Sequence, residues 1–153
     1  YSSLPFPYPC KNGPMDSISE LRLVKGVTDE MYFGKEGRTG LRDLLTANSG
    51  GRININTASP LILQAIGEGF IGREEAEEIV RYRKENPFVR KSDIMNVPGI
   101  GIGIFSKISP VITVKSGYFL VKTEGRVGRS RSIIETVVRR SKSGVTSVIW
   151  SAR

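Results

Sequence analysis

Residues 96–108, "NVPGIGIGIFSKI", carry two turn glycines, Gly99 and Gly101, between two apolar runs. The preceding "KSDIMNV" predicts a helix capped by Ser92, and the following "IGIFSKI" predicts another. Two helices that cross closely need a connecting backbone free of the restrictions a Cβ imposes. Ile100 between the glycines plugs the core, and Val97 closes the first helix. The pattern is that of a helix-hairpin-helix element. In such an element the first backbone N–H groups of the second helix face outward, where they can hold a phosphate.

An earlier copy stands at "GFIGREEAEEI". Setting "FIGREEAEEI" over "GIGIGIFSKI" puts Ile71 over Ile100 and Gly72 over Gly101, with Phe70 where the second copy has Gly99. The chain therefore holds a tandem whose first unit is degraded. The structural hairpin-turn residues are Gly99, Ile100, Gly101 and Gly72. If the hairpins bind DNA, Gly101, Gly103 and Lys107 would contact phosphate. If they serve only to pack short helices, no such contact is needed.

Charge weighs against DNA. Of the net +8, residues 111–153 hold nine Lys/Arg and two Glu, and residues 1–110 hold 14 basic and 13 acidic residues. Phosphate contacts dominate non-specific affinity, and a hairpin region near neutrality is a poor start. Glu74, Glu75, Glu77 and Glu78 follow the first turn, where phosphate would have to sit. Lys107, Arg90 and Lys91 near the second are a modest offset.

Outward from the hairpins, short helices are expected at "MDSISELRLVKG", capped by Asp16 or Ser17 with Glu20 at capping-box distance, at "VTDEMYFG", capped by Thr28, and at "TGLRDLLTANSGG". They are too short to stand alone and must pack on something. "RININTASPLILQAIGEG" starts a helix at Thr57 or Ser59, with Pro60 in the first turn where its missing N–H costs nothing. Leu61, Ile62, Ala65 and Ile66 are its expected apolar face. "GREEAEEIVRYRKENP" has acids first and bases last, which suits the helix dipole, and Ala76, Ile79, Val80 and Arg83 mark its inner stripe. Residues 1–14 hold four prolines and form an extended lead-in.

After Pro110 the period changes to that of strands. "VITVKSGYFLVKTEG", "SRSIIETVVRRSKSG" and "VTSVIWSAR" predict three or four antiparallel strands joined by hairpins, with "RVGRSRS" as a solvated tip and Tyr118, Phe119 and Trp150 as core aromatics. Helices first and strands last predict an α+β fold.

Catalytic signatures are missing from the sequence. It has no His, no Gly-x-Ser-x-Gly and no phosphate loop, and "GIGIG" follows a helix, so it is not a dinucleotide loop. The single cysteine, Cys10, cannot close a disulfide within the chain. Neither a signal peptide nor a bilayer-length apolar run occurs. The abrupt start at "YSSLPFPYPC", without Met, suggests a fragment of a longer protein.

"ININTASPLILQAI" through "AEEIVRYRKENPFVRKSDIMNVPGIG" resembles two families. The competence DNA receptor family shares the Asn-Thr-Ala opening and the closing "VPGIG", and accounts for about residues 53–108. The K class of type II secretion minor pseudopilins (general secretion pathway protein K) also shares the upstream "SISELRLVKGVTDEMY" and "LRDLLT". It further shares the strand start at Ser116, Tyr118 and Phe119 and the ending "ETVVRRSKSGVTSVIW", so that resemblance covers almost the whole chain. It implies a helical insertion domain over 1–110, with tandem helix-hairpin-helix (SAM-like) units at its core, then antiparallel strands of a partial pilin-type sheet over 111–153. It implies a membrane-inserted N-terminal helix outside this stretch, with these residues on the periplasmic side of the inner membrane. The expected role is non-enzymatic, at the pseudopilus tip with the I-class and J-class pseudopilins and without nucleic acid. The family resemblance also allows calcium in the helical domain. No Asp-x-Asp-x-Asp loop is present, and Asp16, Glu20, Asp29, Glu30 and Asp43 are loose candidate carboxylates, for which solvated surface charge is the favoured reading.

Overall fold

A computed structural model describes residues 7–152, without the side chains of residues 147 and 149–152. The expected core role of Trp150 and the first residues of the proline-rich lead-in fall outside that description. The chain divides into two compact units, Tyr1–Asn48 and Ser49–Arg153.

The first unit is built from capped single turns. Ser17 opens the 3-10 helix Ile18–Leu23. Its Oγ accepts from the Ser19 N–H at 3.2 Å, and Glu20 Oε1 accepts from the Ser17 N–H at 3.3 Å, so two otherwise unpaired amides are satisfied. Thr28 caps α1 (Asp29–Phe33) by accepting from the Met31 N–H at 3.2 Å, and α2 (Leu41–Leu44) follows Gly40. Tyr32 is the buried apolar residue of this unit, edge-on to Phe33 at 4.8 Å between ring centres. The Arg22 and Arg42 guanidiniums lie 5.1 and 5.2 Å from the Phe33 ring.

The second unit contains the hairpins. Strand β1 (Ile53–Asn54) leads into α3 (Pro60–Ile66), capped by Ser59, which accepts from the Ile62 N–H at 3.3 Å, with Pro60 in the first turn. Leu63 is fully buried and Ile62 and Ile66 partly so, while Leu61 and Ala65 face solvent. The expected face is thus corrected by a rotation. Gly67, one turn after Leu63, lies where a Cβ would come within 2.5 Å of the Ile71 Cβ. That close approach turns the Leu63–Gly67 side inward. Helix α4 (Arg73–Glu85) buries Ala76 and Ile79, half-buries Val80 and Arg83, and ends before Pro87, as its sequence pattern predicts.

The segment Lys91–Asn96 is a 3-10 helix, and its cap is not Ser92. Asp93 accepts from the Arg90 N–H at 2.7 Å and the Val89 N–H at 3.0 Å, so the carboxylate inside the first turn does the capping. After Gly101 comes α5 (Ile102–Ile108). Ile55, Leu63, Ile71, Ala76, Ile79, Phe88, Ile94, Val97, Ile100, Ile108 and Ile112 form one continuous core. Each large member stabilises the fold by about 1.5–3 kcal/mol through its burial.

The turn glycines are not equivalent. Gly99 has φ +85°, a left-handed conformation that a Cβ makes costly. Gly101 has φ −89° and open space where a Cβ would stand, so the conformational reason offered for it does not apply. In the first hairpin the left-handed residues are Glu68 and Gly69, at φ +47° and +87°. The special conformation thus sits earlier than the aligned Gly99 position, which frees position 70 to be Phe.

Ile112 and Thr113 were expected to open the antiparallel sheet. Instead they form β2, which pairs in parallel with β1, Ile53 opposite Ile112 and Asn54 opposite Thr113. The reason is burial, since Ile112 belongs to the helical core. The antiparallel meander consists of β3 (Tyr118–Val127), β4 (Ser130–Ser141) and β5 (Gly144–Ala152), in that order. Its register shifts between Val137 and Val138. The exposed 127–130 hairpin is the tip expected from "RVGRSRS". Tyr118 is half-buried and Phe119 exposed, and neither joins the core cluster. Helices preceding an antiparallel sheet give the α+β fold read from the sequence.

The β1–β2 junction is locked by asparagines. Asn56 Nδ2 donates to the Phe88 carbonyl at 2.8 Å and the Val114 carbonyl at 3.2 Å, and its Oδ1 accepts from the Phe88 N–H at 2.9 Å. Asn54 Nδ2 donates to Ser116 Oγ at 2.9 Å, and its Oδ1 accepts from the Asn56 N–H at 3.0 Å. Arg83 Nη1 donates to the Ile55 carbonyl at 2.6 Å, and burial holds that guanidinium below its usual pKa.

Three outcomes follow for stability. Asn56→Ala leaves Phe88 and Val114 backbone groups half-buried without a partner and should cost on the order of 1–3 kcal/mol in chemical denaturation. Asn56→Asp should not restore it, because a carboxylate cannot donate to two carbonyls. Gly99→Val should cost about 1–3 kcal/mol through backbone strain, whereas Gly101→Val should stay within about 1 kcal/mol. Equal melting temperatures for the two glycine variants would contradict the turn geometry.

The Arg90 and Val89 amides hold the Asp93 carboxyl below its ordinary 3.8. A depressed folded pKa stabilises the native state fully above the unfolded value, and that stabilisation is lost as pH falls through the folded one. Asp93→Asn should therefore lower the melting temperature at neutral pH, with the gap closing in acid below 3.8. A gap of constant size across that range would show that Asp93 acts otherwise.

Candidate functional site

The two hairpin turns lie side by side, and Glu75 stands between them. Its position three residues into α4 lets Oε2 accept from the Gly72 N–H at 2.9 Å. Its Cγ lies 3.4 Å from where a Cβ on Gly99 would be. The amide that would face a phosphate in the first hairpin therefore already holds a carboxylate. Chain order carries the signal for this arrangement, since a Gly-x-x-Glu spacing at a helix start is a capping pattern. Reading the four glutamates only as a repulsive cluster overlooks it.

Phe70, at the turn of the first hairpin, is 47% exposed and lies under the Lys107 ammonium, with 3.1 Å between Nζ and the ring centre. A cation over an aromatic face is attracted by the ring quadrupole. The two hairpins thus clasp each other through the residue that departs from the glycine pattern and the residue named as a phosphate ligand. Nothing in the spacing of "GFIG" and "IFSKI" announces this pair, because it forms only when the second hairpin folds against the first.

The three residues expected to meet phosphate are not gathered at one point. Gly101 precedes α5, Gly103 lies in its first turn and Lys107 in its last. Lys107 is six positions after Gly101, about 9 Å along the helix axis. Beside Gly101 stands Ile102, 68% exposed, an apolar group where an anion-binding surface would need a donor. Ile100 is buried as the plug and Gly72 precedes α4.

The surrounding cations are engaged as well. Arg90 Nε lies 3.2 Å from Asp93 Oδ1, and Arg73 Nε 2.8 Å from Glu77 Oε1. Arg81 pairs with Glu78. Lys91 Nζ donates to the Ser109 carbonyl at 2.7 Å and ties the end of α5 to the preceding 3-10 helix. These pairs compete with any phosphate for the same donors.

The candidate calcium carboxylates lie in the first unit and are dispersed among its cations. Lys11 Nζ takes Asp16 at 2.8 Å and Glu20 at 3.0 Å. Asp29 pairs with Arg22 at 3.0 Å, Glu30 with Lys35 at 2.6 Å, and Asp43 lies 3.5 Å from Arg42. No three acidic, histidine or cysteine side chains converge as a metal cluster among the described residues. This donor set does not fit calcium, which takes six to eight converging oxygens. The hydrogen bond from Lys11 lowers the Glu20 pKa, and hydrogen bonds to Asp16 and then Glu20 raise that of Lys11. Cys10 is a free, exposed thiol.

Comparison with known proteins divides the chain near the boundary between its two units. A family described as type II secretion system (T2SS), protein K matches residues 1–34, and the helix-hairpin-helix motif family matches residues 48–113. Type II secretion system protein K of Aeromonas hydrophila is 27% identical over 147 residues, 93% of this chain and 43% of that protein. The same-named protein of Pectobacterium carotovorum subsp. carotovorum is 28% identical over 166 residues, 97% of this chain and 48% of its own length. ComE operon protein 1 of Bacillus subtilis is 46% identical over 67 residues, 43% of this chain and 32% of that protein. No solved structure gives a significant match. The chain spans about half the length of the two secretion relatives. Its front is matched by that family's model and the two secretion relatives align along nearly all of it, so the chain as a whole is similar to type II secretion system protein K.

Proposed function

We propose that this chain is part of a K-class minor pseudopilin that acts without catalysis at the tip of the type II secretion pseudopilus, supporting protein export across the outer membrane. In this reading residues 1–110 are the helical insertion and residues 111–153 the strands of a pilin-type sheet. An N-terminal helix anchors the parent protein in the inner membrane and these residues face the periplasm. No helix among the described residues is long and apolar enough to cross a membrane, so the anchor would lie elsewhere in the parent. The I-class and J-class pseudopilins are the partners.

The observation that carries this reading is the internal satisfaction of the hairpin pair. Glu75 occupies the Gly72 amide and Phe70 holds Lys107, so the element is built to hold itself together. A protein whose task is assembly needs such a rigid module and needs no phosphate site.

DNA binding by the same hairpins is the second reading, favoured by the helix-hairpin-helix match at residues 48–113 and by 46% identity to ComE operon protein 1 over 67 residues. Both readings meet in one set of titrations at about 150 mM salt, where exposed charges are screened beyond roughly 8 Å. Calorimetry against the soluble domains of the I-class and J-class proteins should yield a complex. Fluorescence anisotropy with a short duplex should show no binding tighter than about 1 µM. Tighter binding to the duplex, lost in Gly101→Glu, with no complex formed, would reverse the assignment.

A further inference from the structure

The sheet sorts its charge along its length. Of its two carboxylates, Glu124 lies toward the tip formed by residues 127–130 and Glu135 lies at mid-strand opposite Lys122. Glu124 pairs with Arg126 at 2.5 Å and Arg131 at 2.7 Å, and Glu135 with Lys122 at 2.8 Å. At the opposite end stand Lys115, Arg139, Arg140 and Lys142. Among the described residues none of these four has a carboxylate within ion-pairing distance.

Two of the four are held in place. Arg139 faces Tyr118 across the strand pair, its guanidinium 6.0 Å from the ring centre. Arg140 lies 5.4 Å from the Phe119 ring centre and donates from Nη2 to the Ser116 carbonyl at 3.1 Å. Its backbone N–H donates to the Gly117 carbonyl at 2.8 Å. Successive strand residues point to opposite faces, so the two guanidiniums stack on opposite sides of the sheet. Stacking on a ring orients a guanidinium and lowers the entropy it loses when its N–H edge meets a carboxylate.

We infer that this end of the sheet, Lys115, Arg139, Arg140 and Lys142 around Tyr118 and Phe119, is a docking surface for an acidic protein partner. The inference rests on the assembly reading above and adds the chemistry of the contact. Four cations without counter-charges among the described residues repel one another and are relieved by a complementary surface. A protein can present carboxylates to both faces of the sheet end, and Arg forks match carboxylates in bidentate geometry. A lipid surface is planar and meets only one of the two stacked guanidiniums.

The test is calorimetry of the full chain with the soluble I-class and J-class domains at low and high salt. Arg139→Glu/Arg140→Glu is compared with the tip control Arg129→Glu. A second variant, Lys115→Glu/Lys142→Glu, touches no stacked ring, and circular dichroism checks that each variant folds. Both base variants should weaken binding about tenfold or more and flatten its salt dependence, while the tip control should stay within about twofold. Unchanged affinity in both base variants overturns the acidic docking surface and leaves the assembly reading standing. No complex with the unsubstituted chain overturns both. Vesicles of phosphatidylglycerol in phosphatidylcholine form the remaining arm. Vesicle binding lost in the base variants, with partner binding intact, overturns the inference in favour of a lipid surface.

Discussion

A single side chain amide ties the ends of the hairpin tandem. Asn56 donates to the carbonyls of Phe88 and Val114 and accepts from the amide of Phe88. It joins the strand before the first hairpin, the loop after α4 and the strand after the second hairpin. An asparagine suits this junction because it has two donors and an acceptor in one rigid plane. The parallel pairing of β1 with β2 and the burial of Ile55 and Ile112 depend on that closure. Without it the tandem would be a run of helices, each too short to be stable alone, with their ends unanchored. The Tyr82 and Phe88 rings stack at 5.7 Å between centres, so Phe88 is held by its ring as well as by its backbone.

That closure explains how a motif suited to phosphate can become a structural part. A helix-hairpin-helix turn offers outward amides, and something must satisfy them. Water, phosphate or a side chain will serve. Here Glu75 satisfies the first hairpin's Gly72 amide from within the chain. The shift of the left-handed residues to Glu68 and Gly69 frees position 70 for an aromatic ring, and that ring engages Lys107. The departures from the glycine pattern are thus consistent with one another: a carboxylate where an anion would bind, and a ring where a cation would otherwise reach outward.

Local features of the fold were legible in the sequence because they depend on neighbours in the chain. Ser17 with Glu20, Thr28, Ser59 with Pro60, and the stop before Pro87 all act within a few residues. Features that depend on distant partners were not. Leu63 is buried in place of Leu61 because Gly67 admits Ile71, a contact that no helical period contains. Asp93 displaces Ser92 as the cap because its carboxylate reaches two amides at once. Ile112 and Thr113 have strand character, yet their partner lies about sixty residues upstream. In the candidate site, the glycines and Lys107 stand out in the sequence, whereas the roles of Glu75 and Phe70 arise from the packing of one hairpin on the other.

The sheet presents a different balance. One face of the meander carries Phe119, Val121 and Ile134, which remain 39, 41 and 45% exposed, so a row of apolar groups meets solvent. The opposite face carries the Lys122–Glu135 and Glu124–Arg131 cross-strand pairs. Surface ion pairs of this kind contribute little, about 0–1 kcal/mol each. A three-stranded sheet gains its stability mainly by burying a face, and among the described residues the core is formed by residues 55–112 of the hairpin tandem instead. The exposed apolar row and the uncompensated cations at the sheet's end therefore share one physical origin. Both are groups whose favourable interactions are not completed among the described residues, and both favour association over independence for the sheet.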